Sequence, residues 1–447
     1  MRRIAVFGAG KSGVAAANFL AARGEPVIIT DARPEGELPL AERLDPRVQR
    51  ALGGHPASLL DDVRLVVLSP GIPDTIPPLR EAAARSIPVI SEIELAFRHL
   101  EGTVVAVTGS NGKSTTTALI GEILKVAGRA PVVAGNIGDP LVDAVTAGPR
   151  TYVVELSSFQ LETVDTFRAN VALLLNVTPD HLDRYPSIAE YAAAKHRIFR
   201  NQTARDTAIV NADDPLTRDP KTAARVLRFS SRERLEEGAF LDGDQLVMRL
   251  AGSEERSIPR ASLRLAGAAN AQNALAAWLA ARILGVTDVD IQIAFGSFTG
   301  LPHRMALVRE TGGVRWINDS KGTNVDATMG SLEGMDDGHV LLILGGKDKK
   351  GEFERLRPLV ERKAKAIVTI GAAAARIEEA LRGAAPFEAA ETMDRAVAWA
   401  SEHAAPGDVV LLSPACASFD QYENFEQRGR HFEELVRAMP EPAGGAA

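Results

Sequence analysis

The chain has one cysteine, Cys416, among 447 residues. A lone thiol excludes an internal disulfide and a structural zinc site built from thiolates, and it fits a reducing cytoplasm. A secretory h-region is also missing, because the apolar start after Arg2 and Arg3 is cut by Gly8, Gly10 and Lys11. The longest uncharged stretch, residues 265–281, is rich in alanine and carries Asn270, Gln272 and Asn273, which makes it a poor membrane span. No basic stripe stands out. Acidic residues number 58 against 51 basic ones, a formal charge of -7, so the electrostatic footprint of a nucleic-acid binder is absent. No repeat of fixed period is visible. The expectation is a soluble, cytoplasmic monomer with small-molecule partners, no nucleic acid and no membrane insertion.

What is present is ordinary globular material, 45% hydrophobic and 24% charged, enough for several cores. At one domain per ~150 residues the length suggests three domains. Short β-branched runs alternate with alanine-rich helical segments, a pattern of α/β domains with mostly parallel sheets. Strands are expected over residues 4–7, 27–30, 66–68, 104–108, 152–155, 171–176, 341–344, 367–370 and 409–412, with helices over 12–23, 114–127 and 270–284. A hairpin is expected over 240–250, turning at Asp242-Gly243. Domain boundaries are expected near Ser91 and Gly300, and the tail 440–447 is expected to be disordered.

Two glycine-rich loops carry chemistry. Gly8-x-Gly10-x-x-Gly13 follows a strand and opens a helix, with Asp31 ending the next strand. Such glycines let backbone approach a pyrophosphate at a helix N-terminus while the acid meets a ribose hydroxyl. Taken alone the motif predicts NAD, but any nucleoside diphosphate presents the same anion, so redox use stays undecided. The second loop is VTGSNGKSTTT, residues 107–117. Backbone N–H groups of Gly109, Ser110, Asn111 and Gly112 can cradle phosphates, with Lys113 on the β/γ oxygens, Ser114 on Mg²⁺ and Thr115 beside it. Two residues separate Gly109 from Gly112, where the usual phosphate loop has four, so this is a shortened variant. A dehydrogenase has no need of the second loop and a motor ATPase has none of the first; together they suggest a ligase.

At this point the sequence resembles the Mur ligases, a superfamily shared with folylpolyglutamate synthetase, whose phosphate loop is similarly short. The segments ELSSFQLE (155–162), NVTPDHLDRY (176–185), LPHR (301–304), WINDSKGTN (316–324) and LLSPACASFDQYENFEQRG (411–429) are similar to the D-glutamate-adding branch. The resemblance implies a Rossmann-like UDP-binding domain (1–92), a central P-loop ATPase-like domain (93–300) and a C-terminal Rossmann-like domain that binds the amino acid (301–447). It implies a ligase of peptidoglycan precursor synthesis that uses ATP to join D-glutamate to UDP-N-acetylmuramoyl-L-alanine through an acyl phosphate. By resemblance, Ser114 and Glu155 hold one Mg²⁺, and His181, which also meets the substrate, with a carbamate on Lys195 holds a second. Asn270 and Asn273 pack on adenine, although the family's histidine before them is Ala269 here. Arg304, Asp319 and Lys321 meet the nucleotide and the reacting carboxylate. Thr323, Lys349, Ser418 and Phe425 surround D-glutamate, with Lys347 and Lys350 as competitors for the lysine role. Ser12, Asp31, Arg33, Gly71 and Asn136 match the uridine-diphosphate end. Cys416, without a partner to activate it, reads as a buried small residue. A dehydrogenase would leave Lys113 and Glu155 without a role, and a non-catalytic nucleotide sensor would not require His181, Lys195 and Lys321.

Overall fold

The computed structural model describes residues 2–440 except 74, 183 and 266, with backbone alone at 57; the tail expected to be disordered lies outside them from residue 441 on. Among the described residues the strands form three sheets. Parallel sheets covered on both faces need strands that are apolar throughout rather than alternating. Val340–Gly345 and Val409–Leu412 are buried at every position, as are Val27–Asp31 and Val171–Leu174. Such runs are the ones the sequence pattern exposes.

In the first sheet the order is Gln49–Leu52, Val27–Asp31, Arg3–Phe7, Val63–Leu68, Val89–Ser91, all parallel. The strand order reverses beside Arg3–Phe7, and the Gly8–Gly13 loop leaves that strand's C-terminal end, where open α/β sheets bind ligands. The second sheet has nine strands, with Gly102–Thr108 flanked by Arg150–Glu155 and Val171–Leu174. Its far edge departs from the parallel pattern: Gly238–Asp242, Gln245–Arg249 and Arg256–Pro259 are antiparallel neighbours. The expected hairpin is there, but Asp242 pairs with Gln245, so its turn is Gly243-Asp244, one residue later than expected. Gly243 at φ 57° supplies the left-handed position that a two-residue turn requires. The core beneath this sheet includes Leu119, Ile123, Leu275 and Trp278, the last two on the alanine-rich helix Ala268–Ile283. Alanine there lets helix and sheet approach closely.

The third sheet runs Ala306–Thr311, Val314–Asn318, Val409–Leu412, Val340–Gly345, Ala364–Ile370, Phe387–Glu391, parallel except for its first pair. Separate cores cover its two faces, one containing Phe353 and Leu356, the other Trp316 and Phe432. The chain divides into two compact units. The first and second sheets belong to one unit; the third sheet belongs to the other, together with the short segments Thr178–Ile188 and Gly267–Ala269. No described helix is long and apolar enough to cross a membrane.

Candidate active site

In the first unit the phosphate loop joins the strand Gly102–Thr108 to the helix Lys113–Val126. Gly112 ends the loop at φ 81°, and a Cβ there would lie 2.3 Å from Asn273 Oδ1, so only glycine fits. Asn273 is thereby placed against the loop and also accepts from Thr116 Oγ1 at 3.3 Å. Its Nδ2 lies 3.4 Å from Asn270 Oδ1, so the pair expected to face a base shares one end of one helix. Lys113 Nζ folds back onto the carbonyls of Gly109 and Ser110, at 2.9 and 2.8 Å. Ser114 and Thr115 are buried in the first helical turn.

Lys195, on the helix Ile188–His196, is only 1% exposed. Its Nζ donates to Gly109 O at 2.8 Å and stands 4.3 Å from the centre of the Tyr191 ring. It is therefore aimed at the phosphate loop and is no surface lysine. Glu155 ends its strand at 1% exposure, where Oε1 accepts from Asn136 Nδ2 at 2.8 Å and Oε2 has no hydrogen-bond partner. An unpartnered buried carboxylate oxygen is costly unless something fills the position, and a divalent cation is the natural occupant. Among the described residues no group of three or more His, Cys, Asp or Glu side chains forms a cation cage.

Asn136 lies in a loop that reaches two ways. Besides Glu155, the loop meets the first sheet's glycine turn, where Lys11 Nζ donates to Gly138 O at 2.7 Å and pairs with Asp139 at 3.1 Å. In that turn Gly8 has φ 95°, and a Cβ on Gly13 would stand 1.7 Å from Gly8 O, a close helix-to-strand approach only glycine allows. Asp31 is 3% exposed and accepts from Ala9 N at 2.8 Å and from Arg33 Nε and Nη2. Burial pushes its carboxyl pKa up, but the hydrogen bonds from Arg33 and Ala9 outweigh that and hold it below its ordinary value. The acid thus fixes the turn and the half-exposed Arg33. Ser12 is half-buried and Gly71 exposed at the same sheet end.

The second unit carries the remaining candidates. Asp180 accepts from Lys349 Nζ and Asn324 Nδ2, both at 3.0 Å. Burial raises its pKa, yet Lys349 and His181 more than reverse this and hold it well below the usual carboxylate range. His181 follows at φ 56°. Left-handed backbone at non-glycine residues also marks His303, Met305, Lys350 and Ala415, in loops at the C-terminal ends of the third sheet's strands or facing them. Such conformations cost about 1–3 kcal/mol each and gather at ligand-gripping sites. Arg304 sits between two of them. Lys321 Nζ lies 4.0 Å over the Phe425 ring. Asp319, buried, accepts from Ser331 Oγ and Ser413 Oγ at 2.7 Å, and burial raises its pKa to about 6. Thr323 and Lys349 line one cavity with Asp180 and Ala415, while Ser418 is buried and Phe425 opens the helix Phe425–Ala438. Cys416 is buried and its thiol is pushed up to about 12, which keeps it inert.

Two anchors were not visible in the sequence pattern. Asn176 clamps the phosphate loop: its O accepts from Ser110 N, its Oδ1 from Asn111 N at 2.8 Å, and its Nδ2 donates to Asn111 O. Glu94, fully buried, accepts from the backbone of Asp165, Thr166 and Phe167. Asn176 opens the segment NVTPDHLDRY, and an asparagine just past a buried strand is a signal that could have marked it.

Comparison with known proteins places this geometry. Residues 2–91 match the Mur ligase MurD-like N-terminal domain, 107–281 the Mur ligase middle domain and 303–416 the Mur ligase glutamate ligase domain. The chain is 47% identical over 449 residues to the UDP-N-acetylmuramoylalanine--D-glutamate ligase of Geotalea uraniireducens, covering 99% of each. It is 45% identical to that of Koribacter versatilis, covering 98% of each. Among solved structures it shares its fold with the UDP-N-acetylmuramate-alanine ligase of Thermotoga maritima, at TM-score 0.63 and 19% identity over 98% of this chain and 100% of that one.

Proposed function

This chain belongs to the Mur ligase family, and from that membership we propose that it joins D-glutamate to UDP-N-acetylmuramoyl-L-alanine at the expense of ATP, in cytoplasmic peptidoglycan precursor synthesis. The observation that carries the reading is one short phosphate loop to which the half-buried Lys113 and the buried Lys195 are bonded, with the buried Glu155 carboxylate ending the neighbouring strand. A carboxylate is a poor electrophile. Transfer of the γ-phosphoryl group makes it an acyl phosphate; the amine attacks, and phosphate leaves as the amide forms. The protein's task is positioning and charge stabilisation.

Residues 109–115 hold the phosphates, with Lys113 released from its loop carbonyls to meet the β/γ oxygens. Ser114 and Glu155 would hold one Mg²⁺, and a carbamate on Lys195 would serve a second; bound there, the ions would neutralise phosphate charge. His181 is a further metal and substrate ligand in this reading. The carbamate forms when the neutral Lys195 amine adds CO₂ and releases a proton. Asn270 and Asn273 serve the base. Ser12, Arg33, Gly71 and Asn136 serve the UDP end, with Asp31 holding Arg33. In the second unit Arg304, Asp319 and Lys321 act toward the nucleotide and reacting carboxylate. Thr323, Lys349, Ser418 and Phe425 hold D-glutamate. Residues 1–92, 93–300 and 301–447 are the corresponding domains of a monomer. Phosphate release measured with each substrate omitted in turn tests the reading: release is expected only with ATP, UDP-N-acetylmuramoyl-L-alanine and D-glutamate together. Equal release with L-alanine on the unextended UDP-sugar would overturn it.

A further inference from the structure

Arg428 is fully buried in the helix Phe425–Ala438. Its Nε donates to Ser320 Oγ at 3.0 Å and its Nη2 to Ser320 O at 2.8 Å. Nη1 and Nη2 both donate to Cys416 O at 3.2 Å, and Nη1 reaches the carbonyls of Gly345 and Ala417 at 3.4 Å. Every one of these acceptors is neutral. A buried cation ordinarily has a carboxylate against it, but among the described residues none forms an ion pair with Arg428. Asp319 is committed to Ser331 and Ser413, and Asp420 is exposed and accepts from Ala372 N. Burial lowers the guanidinium pKa only to about 10, so the charge persists at neutral pH.

The hydrogen-bond acceptors around this fork are the chain neighbours of the residues proposed to hold the amino acid. Ser320 precedes Lys321 and Thr323, and its Oγ also donates to Phe425 O at 2.9 Å. Cys416 and Ala417 precede Ser418, and Ala417 bridges to Lys347 at the start of the lysine loop. One planar fork therefore ties together the backs of three loops whose fronts carry those residues. We infer that Arg428 is a positioning residue for acceptor recognition, and that its unpaired positive charge biases these loops toward an amino acid with a second carboxylate. The inference rests on the D-glutamate reading.

A purely structural role and a charge role separate when D-glutamate is compared with neutral D-glutamine. Loosened loops weaken both amino acids alike, whereas a lost charge weakens only the anion. In the full-length enzyme Arg428→Gln is expected to lower the D-glutamate over D-glutamine ratio in kcat/KM about ten-fold while leaving the KM for ATP unchanged. Arg428→Lys, which keeps the charge and loses the fork, is expected to raise KM for both amino acids and to keep the ratio within about three-fold. Asp420→Asn, an exposed change that removes a nearby negative charge, is expected to raise the ratio about two-fold and is available even if a buried variant does not fold. Retention of the ratio in Arg428→Gln, its loss in Arg428→Lys, or a fall in Asp420→Asn overturns the inference. Failure of the wild-type enzyme to turn over D-glutamate would instead overturn the reading on which it rests.

Discussion

Lys113 and Lys195 share an acceptor, Gly109 O, and differ in what surrounds them. Lys113 is half-buried and bonds to carbonyls of its own loop, so Lys113→Ala removes phosphate charge and leaves the cores intact. Turnover is expected to fall at least about 100-fold, with a melting temperature within about 2 °C of wild type; more than a few per cent residual kcat would contradict the assignment. Lys195 is buried against Tyr191, where a carbamate could replace the ammonium. Lys195→Ala is therefore expected to be inactive and to regain part of its activity with acetate or formate, which place a carboxylate in the vacated space. Absence of rescue across both ions would remove the carbamate. At this scale the chemistry of the loop was legible because glycine, lysine and serine act within a few residues of one another. Asp31 was legible as an acid at a strand end, but its engagement with Ala9 and Arg33 was not, because neither contact leaves a pattern in the sequence.

Elements were legible where both faces of a strand are buried. The edges were not: Gln49–Leu52 is exposed or half-buried along its length, and Ala306–Thr311 has no buried position. Amphipathic edges of four to six residues give too little periodicity to separate from loops. The short helix Glu92–Phe97 was equally hidden, yet it carries two buried carboxyls. Glu94 is satisfied by the 165–167 backbone. Glu92 accepts from Val142 N at 2.7 Å, its other oxygen has no partner, and burial raises its pKa to about 7. The unfolded chain releases this proton near 4.5 while the folded one keeps it to about 7, so the stability Glu92 contributes at low pH is lost as pH rises through that window. The full span is worth about 3 kcal/mol. Glu92→Gln should abolish that part of the decline. Urea unfolding at pH 5 and pH 8 should show the variant gaining on wild type by about 2–3 kcal/mol between the two, and a difference independent of pH would show that Glu92 is not held protonated.

The whole molecule sets three sheets into two compact units, and this grouping was the least legible level. Domain number followed from length and from two loops that each follow a strand. That Thr178–Ile188 joins the third sheet's unit depends on contacts such as Asp180 to Lys349, 169 residues apart, and no local pattern encodes such a pairing. Units with separate cores need not unfold as one cooperative block. All of residues 109–115, with Lys195 and Glu155, lie in the unit of the first two sheets, so a nucleotide bound there stabilises that unit directly. At about 100 times its dissociation constant the gain is ~2.7 kcal/mol. Calorimetry should then resolve two transitions, with Mg²⁺-ATP moving that of the first two sheets' unit by more than the other. In Lys113→Ala the same nucleotide concentration should move neither, because the affinity that couples binding to unfolding is gone. A single transition whose calorimetric and van't Hoff enthalpies agree would mean that the two units unfold together, and a shift preserved in Lys113→Ala would place the nucleotide somewhere other than the short loop.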